Sequence, residues 1–252
     1  MINESAPKDW RDLQVQVARV LSECGMNTEI ERDIQTVREN VNIDVWAQDT
    51  EREPSVMYLC ECKHWATPVP KTVIHSFRTV VTDYGANYGL IISSSGFQSG
   101  AQTAAGSTNI RLLTWPEFEG LFERRWIYRH LIPTVEVETE ALVEYTEPIN
   151  SRIFRKADLL PTELQERFRE LRQKYVHLGN FALALYLPLS SIGDKQIALP
   201  LVDHPKNIED QFGHALPEDV AWATSYRGLL DALCRRSREA LCEFDSVFGE
   251  RA

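Results

Sequence analysis

No apolar stretch of this chain approaches the roughly 20 residues that a bilayer-crossing helix needs. The opening Met-Ile-Asn-Glu-Ser-Ala-Pro-Lys-Asp-Trp also lacks the basic and apolar regions of a secretory signal. Both absences predict a cytoplasmic protein that is not held in a membrane. Cysteine is scarce and odd in number: there are five, and two of them, Cys60 and Cys62, stand one residue apart. That pattern builds no disulfide framework and predicts free thiols in a reducing compartment. Internal repeats and low-complexity tracts are missing as well. Positive charge is in deficit, with 27 Lys and Arg against 37 Asp and Glu and a net charge of -10. Divided at residue 130, the chain holds 13 basic and 17 acidic residues, then 14 and 20. Neither half offers the broad basic surface that grips nucleic acid through its phosphates, so any such contact must be local, oligomeric or assisted by a partner.

What remains is an ordinary globular composition, 43% hydrophobic and 25% charged, in 252 residues. This length favours two domains. Trp10, Leu13, Val17, Val20, Leu21 and Cys24 recur at helical spacing ahead of Gly25, predicting an opening amphipathic helix. Extended segments follow at 26–34 and 41–47, a polar loop at 48–55, and a strand at 56–63. A proline-bearing loop at 66–70 leads to a helix that ends near Gly85. Gly-Leu-Ile-Ile-Ser-Ser at 89–94 reads as a buried parallel strand. A helix at 99–105, a strand at 110–113 and a helix at 115–122 complete an α/β layer. The character changes near residue 130, where the domain boundary is expected. Acidic and apolar residues alternate over 134–145, predicting a strand. A helix is expected from Pro161 to a stop at Gly179, strands at 181–187 and 196–202, and a helix over the last forty or so residues.

The chemistry concentrates at Asp44, Glu61 and Lys63. Glu61 and Lys63 alternate on one face of a strand whose other residues are apolar, and Asp44 lies among apolar residues on the preceding one. Phosphodiester hydrolysis requires an activated water, neutralisation of charge gathering on the phosphate, and help for the leaving oxygen, and divalent metals serve all three. Magnesium takes hard oxygen ligands and keeps several waters. Asp44, Glu61 and the main-chain carbonyl of Cys62 suit that role, with Lys63 placed to orient the attacking water or stabilise the transition state. Taken alone, Glu-x-Lys is a weak pattern that also fits an edge-strand ion pair.

The surrounding residues are more specific. Glu61-Cys62-Lys63-His64-Trp65, Val69-Pro70-Lys71, Gly85-Ala86, Gly89-Leu90-Ile91-Ile92-Ser93, Gly96-Phe97 and Gly100-Ala101 occur in an order and spacing that resembles the Mrr-like restriction endonuclease domain of the PD-(D/E)xK nuclease superfamily. The resemblance spans roughly residues 9–122. It implies a mixed central sheet flanked by helices over residues 1–130, with Asp44 and Glu61 as metal ligands and Lys63 as the catalytic lysine. It further implies a Mg2+- or Mn2+-dependent endonuclease acting on DNA, as in bacterial defence against foreign DNA. Two positions depart from the pattern: Gln14 stands where many relatives carry a glutamate, and Asn42-Ile43 where many carry glycine. Gln14 lies beside the apolar face of its helix and remains a candidate accessory ligand.

Lys71 and His75 are further accessory candidates for phosphate contact, and the 93–97 turn is a candidate donor of backbone amides. Clusters at Arg124, Arg125 and Arg129 and at Arg235, Arg236 and Arg238 either meet nucleic acid or face water. Cys60, Cys62 and His64 share one strand face, but no fourth zinc ligand stands at short spacing, so core packing accounts for them better. Residues 131–252 are expected to form an α+β domain serving targeting, dimerisation or activation. A single site of this kind cuts one strand, which predicts a homodimer or larger assembly. Alternatives are a silent nucleic-acid-binding subunit of a larger defence complex and a ribonuclease.

Overall fold

The computed structural model describes residues 1–186, 197–201 and 216–249. The chain divides into two compact units, Met1–Arg129 and His130–Ala252. In the first, helix α1 (Trp10–Glu23) precedes strands β1 (Asn27–Gln35), β2 (Asn40–Asp49) and β3 (Val56–Lys63). Helix α2 (Lys71–Tyr84), strand β4 (Tyr88–Ser93), helix α3 (Ser99–Ala105), strand β5 (Ile110–Thr114) and helix α4 (Trp115–Trp126) follow. The sheet order is β1-β2-β3-β4-β5. β1, β2 and β3 pair antiparallel, while β3, β4 and β5 pair parallel. This is the mixed sheet with flanking helices expected from the sequence.

Local chemistry explains the element ends. The Asp9 side chain accepts from Asp12 N at 2.8 Å and opens α1, and Glu117 accepts from Thr114 N at 2.7 Å and opens α4. Ile34, Ile43, Leu59 and Ile91 of the sheet pack with Ile74, Phe77 and Val81 of α2 and Ala101 of α3. Gly89 permits the closest approach. A Cβ there would lie 2.6 Å from Ile110 Cδ1 and 2.7 Å from Val81 Cγ2, so a larger residue would push α2 off the sheet.

The second unit is helical among its described residues. A π-helical turn, Ile127–Leu131, spans the division between the units. Beyond it stand α5 (Ile132–Thr146), α6 (Ser151–Asp158), α7 (Thr162–Tyr186), the short α8 (Glu218–Ala221) and α9 (Tyr226–Phe248). Several sequence expectations fail here. Residues 134–145 are helix, not strand: the buried positions are Val135, Thr139, Leu142, Val143 and Thr146, a helical spacing, while Val137 faces solvent. Threonine is tolerated because Thr139 Oγ1 donates to Val135 O at 2.7 Å and Thr146 Oγ1 to Leu142 O at 2.9 Å. The helix expected to stop at Gly179 continues to Tyr186, because Gly179 is a contact point and not a terminus. A Cβ on it would sit 2.0 Å from Thr146 Oγ1, so glycine is what lets α7 lie against α5. The strand expected at 181–187 is therefore the end of α7, with Phe181, Ala182 and Leu185 buried; residue 187 lies outside the described residues. For 196–202, residues 197–201 form no strand and the two end positions lie outside the described residues. The described part of this unit is thus α, not α+β. Its core stacks Tyr145 on Phe244 at 4.5 Å between ring centres, with Phe168 edge-on to Phe244.

Candidate nuclease centre

Asp44 occupies an interruption in the sheet. The β1–β2 ladder pairs Ile30 with Val45 and Arg32 with Ile43 but skips Glu31 and Asp44 between them. On the other side the β2–β3 ladder begins at Val45 and Cys60, so Asp44 and Glu61 stand one residue past its end. Glu31 adopts φ 51°, the left-handed region that costs a non-glycine residue about 1–2 kcal/mol, and such strain collects at functional sites. Asn42 supports the break: its Nδ2 donates to Glu31 O at 3.0 Å and to Asp33 Oδ1 at 2.8 Å. The asparagine that departs from the family pattern thus satisfies the carbonyl of the strained residue.

The Asp44 carboxylate turns to α1 and β3. Its Oδ1 accepts from Gln14 Nε2 at 2.8 Å and its Oδ2 from the main-chain amide of Cys62 at 2.7 Å. Glu61 and Lys63 form an ion pair through Oε1, with side-chain exposures of 22% and 17%. Burial pushes the Glu61 carboxyl up, the nearby Asp44 adds to the rise, and Lys63 opposes it. Gln14 is itself buried, and its Oε1 accepts no hydrogen bond from the described residues, an arrangement that costs about 1–3 kcal/mol when nothing fills it.

These residues fit a hard divalent cation. Two carboxylates, the Cys62 carbonyl and the Gln14 amide oxygen are all oxygen donors of the kind magnesium takes. No group of three or more His, Cys, Asp and Glu side chains gathers as a possible metal cage among the described residues, so water must supply much of any coordination shell.

The remaining candidates separate. Lys71 and His75 are exposed on the first two turns of α2, and among the described residues neither has a hydrogen bond or ion pair to Asp44, Glu61 or Lys63. The amides of the 93–97 turn are partly committed: Ser94 N donates to Lys63 O at 3.1 Å and Ser95 N to Ser93 Oγ at 3.2 Å. Arg125 and Arg129 pair with Asp49 and Glu51, Arg235 and Arg236 with Asp219, and Arg238 with Glu138. Cys60 and Cys62 are buried free thiols whose ionisation burial pushes up, as core cysteines should be. Two site features carried no sequence signal: the Cys62 amide as a partner of Asp44, which any residue type could supply, and the positive φ of Glu31, which glutamate does not advertise.

A mixed five-stranded sheet of this order with flanking helices is consistent with a restriction-endonuclease-like fold. Residues 7–122 match the family model described as restriction endonuclease, of the Mrr catalytic type, a match consistent with an Mrr-like PD-(D/E)xK domain in this segment. No curated protein matches the chain. A solved structure titled "Crystal Structure of Protein of Unknown Function AF1548" is similar at 17% identity and a TM-score of 0.37, covering 96% of this chain and 99% of that one. No helix among the described residues is long and apolar enough to cross a membrane.

Proposed function

We propose that the 7–122 domain hydrolyses phosphodiester bonds in DNA, with Asp44, Glu61 and the Cys62 carbonyl holding a divalent cation and Lys63 acting on the attacking water. The observation that carries this reading is the meeting of Gln14, Asp44, Glu61 and Lys63 at one sheet interruption, where Gln14 Oε1 is buried without a partner among the described residues. A bound Mg2+ or Mn2+ supplies charge neutralisation at the phosphate and a more acidic water. Lys63 brings a fixed positive charge beside Glu61, suited to hydrogen-bonding an entering water or a phosphate oxygen. Gln14 steers Asp44 through its amide and offers its free oxygen as a neutral ligand, weaker than a carboxylate.

One site cuts one strand, so cleavage of both strands calls for two copies, and the His130–Ala252 unit is the part available for dimerisation, targeting or activation. A cytoplasmic role in defence against foreign DNA suits such an enzyme, and its acidic charge suits activity that is switched on by circumstance. The neutral Gln14 favours a second reading, a nucleic-acid-binding subunit without turnover, and a ribonuclease would use the same site.

Plasmid incubated with magnesium or manganese tests the proposal. Wild type should nick or linearise it, and Glu61→Ala and Lys63→Ala should each lower the rate by at least about 100-fold, the scale of removing one preorganised charged group. Cleavage that survives both changes would overturn the site assignment. Wild type inert on DNA and RNA, alone and with partners, would favour the binding subunit.

A further inference from the structure

Two tryptophans stand exposed on elements that carry the candidate centre. Trp10 is 52% and Trp65 is 42% exposed, unusual for the largest apolar side chain. Trp10 lies one turn ahead of Gln14 on α1, so the two share a helix face. Trp65 lies two residues beyond Lys63, whose ammonium sits 5.6 Å from its ring centre. The two segments are joined, because His64 Nε2 is hydrogen-bonded to Pro7 O at 3.2 Å.

The Trp65 loop is also fastened. Ser94 Oγ donates to Trp65 O at 3.2 Å and Ser95 Oγ to Thr67 O at 2.7 Å. Val69 N donates to Gly96 O at 3.0 Å, and Gln98 N to Val69 O at 3.1 Å. A ring held out to solvent on a laced loop keeps the low ordering cost that recognition rewards.

Charge decides what such rings meet. The chain carries a net charge of -10, Trp10 has Asp9 and Asp12 beside it as well as Arg11, whose guanidinium lies 5.8 Å from its ring centre, and the arginines of the clusters at 124–129 and 235–238 that could have held phosphates largely pair with acids. Phosphate contact is therefore restricted here to local cations such as Arg11 and Lys63 beside the two rings, and the overall charge opposes it. Stacking is independent of phosphate charge and tolerates any base, but it requires bases that are not already paired. We infer that Trp10 and Trp65 form a stacking platform for unpaired nucleobases on either side of the cut phosphate. The substrate would then be single-stranded, or opened, where it is cut. The inference rests on the nuclease reading for its location, while its test does not depend on turnover.

Binding measured in EDTA by fluorescence anisotropy, with short labelled oligo(dT), oligo(U) and a matched blunt duplex, tests it. Wild type should hold a single strand more tightly than the duplex. Trp65→Ala and Trp10→Ala should each weaken single-strand binding roughly 5- to 100-fold, with the salt dependence of binding unchanged because no phosphate contact is lost. Trp65→Phe should keep most of the affinity. A preference for oligo(dT) or for oligo(U) upholds the platform and tells which strand supplies the bases. Tighter duplex binding, full affinity in both alanine variants, or a salt slope that falls with affinity overturns it. Photocrosslinking of bromouracil-substituted strands to wild type gives a readout independent of variant folding: adducts on Trp10 or Trp65 support the platform, and adducts only elsewhere reject it. Wild type that binds single strands yet never cuts sinks the nuclease reading alone. Wild type that cuts while the alanine variants bind undiminished sinks the platform alone.

Discussion

Replacing Gln14 by glutamate separates a metal-binding role for this residue from a structural one. In the protein as it stands, Gln14 Nε2 donates to Asp44 Oδ1 at 2.8 Å. Gln14→Glu keeps the length and removes that donor, a loss of about 1.5–3 kcal/mol for a hydrogen bond to a charged acceptor. It also sets two carboxylates against each other. At about 4 Å and an effective dielectric near 20, their repulsion is about 4 kcal/mol, so the pair would take up a proton rather than bear all of it. A deficit of about 2–4 kcal/mol near neutral pH follows, or roughly 8–15 °C in the melting of the unit that carries the site. Its pH dependence has a definite sign. The repulsive part requires both carboxylates to be ionised, so the deficit grows as pH rises above the ordinary carboxyl range, about 4, and fades below it. Saturating magnesium reverses the balance, because a third carboxylate becomes an attractive ligand, and stability gained through linkage should cancel most of the deficit. Calorimetric titration should give a dissociation constant for the metal at least about tenfold lower than that of wild type. Scanning calorimetry in EDTA and in magnesium reads both effects. Equal deficits in the two conditions, or none in EDTA, would show that Gln14 does not face a cation site.

Two further perturbations probe the scaffold. Arg125→Ala removes the guanidinium that contacts the buried Asp49 carboxylate through both terminal nitrogens but leaves it Arg52, whose Nε lies 3.2 Å away, and should cost about 1.5–3 kcal/mol by urea unfolding, with a cost under about 0.5 kcal/mol refuting the pairing. The guanidinium holds the Asp49 carboxyl below its usual range, so this stabilisation is present at neutral pH and is lost as pH falls below about 4 through the depressed folded value. The wild-type advantage over the variant should narrow in acid. Gly179→Ala drives a methyl into Thr146 and should cost about 1–3 kcal/mol. Adding Thr146→Ala should recover part of that loss, and strict additivity of the two changes would argue against the contact.

The first unit was legible because its signals are local and mutually consistent. The apolar run at 89–94 has one reading, Gly25 and Gly85 mark helix ends, and Glu61 and Lys63 fall on one strand face whatever the partner strands do. Asp44 was legible as a residue and not as a geometry: nothing in Val-Asn-Ile-Asp-Val announces that both ladders lapse there or that Glu31 turns left-handed opposite it. The second unit misled for a specific reason. Over 134–145 the alternation of valine, threonine and glutamate matches a strand period, and only the burial of Leu142, Val143 and Thr146 against other helices selects the helical one. Gly179 misled in the same way, since a glycine that ends a helix and a glycine that admits a neighbouring helix are identical in sequence. Both errors come from tertiary contacts that no local window contains.

The pairing of the arginines has a kinetic consequence. With these cations committed to neighbouring acids, the protein meets a nucleic acid as one polyanion meets another, and the long-range field slows their approach. Added salt screens that repulsion over distances of about 10 Å at 0.1 M. Encounter should therefore quicken as ionic strength rises, the reverse of what basic nucleic-acid-binding proteins show, and random passage along intact duplex is disfavoured at the outset. On the proposed nuclease reading, such a protein would spend little time on bulk duplex and would engage where an opened strand or a tethering partner has already brought the substrate within reach.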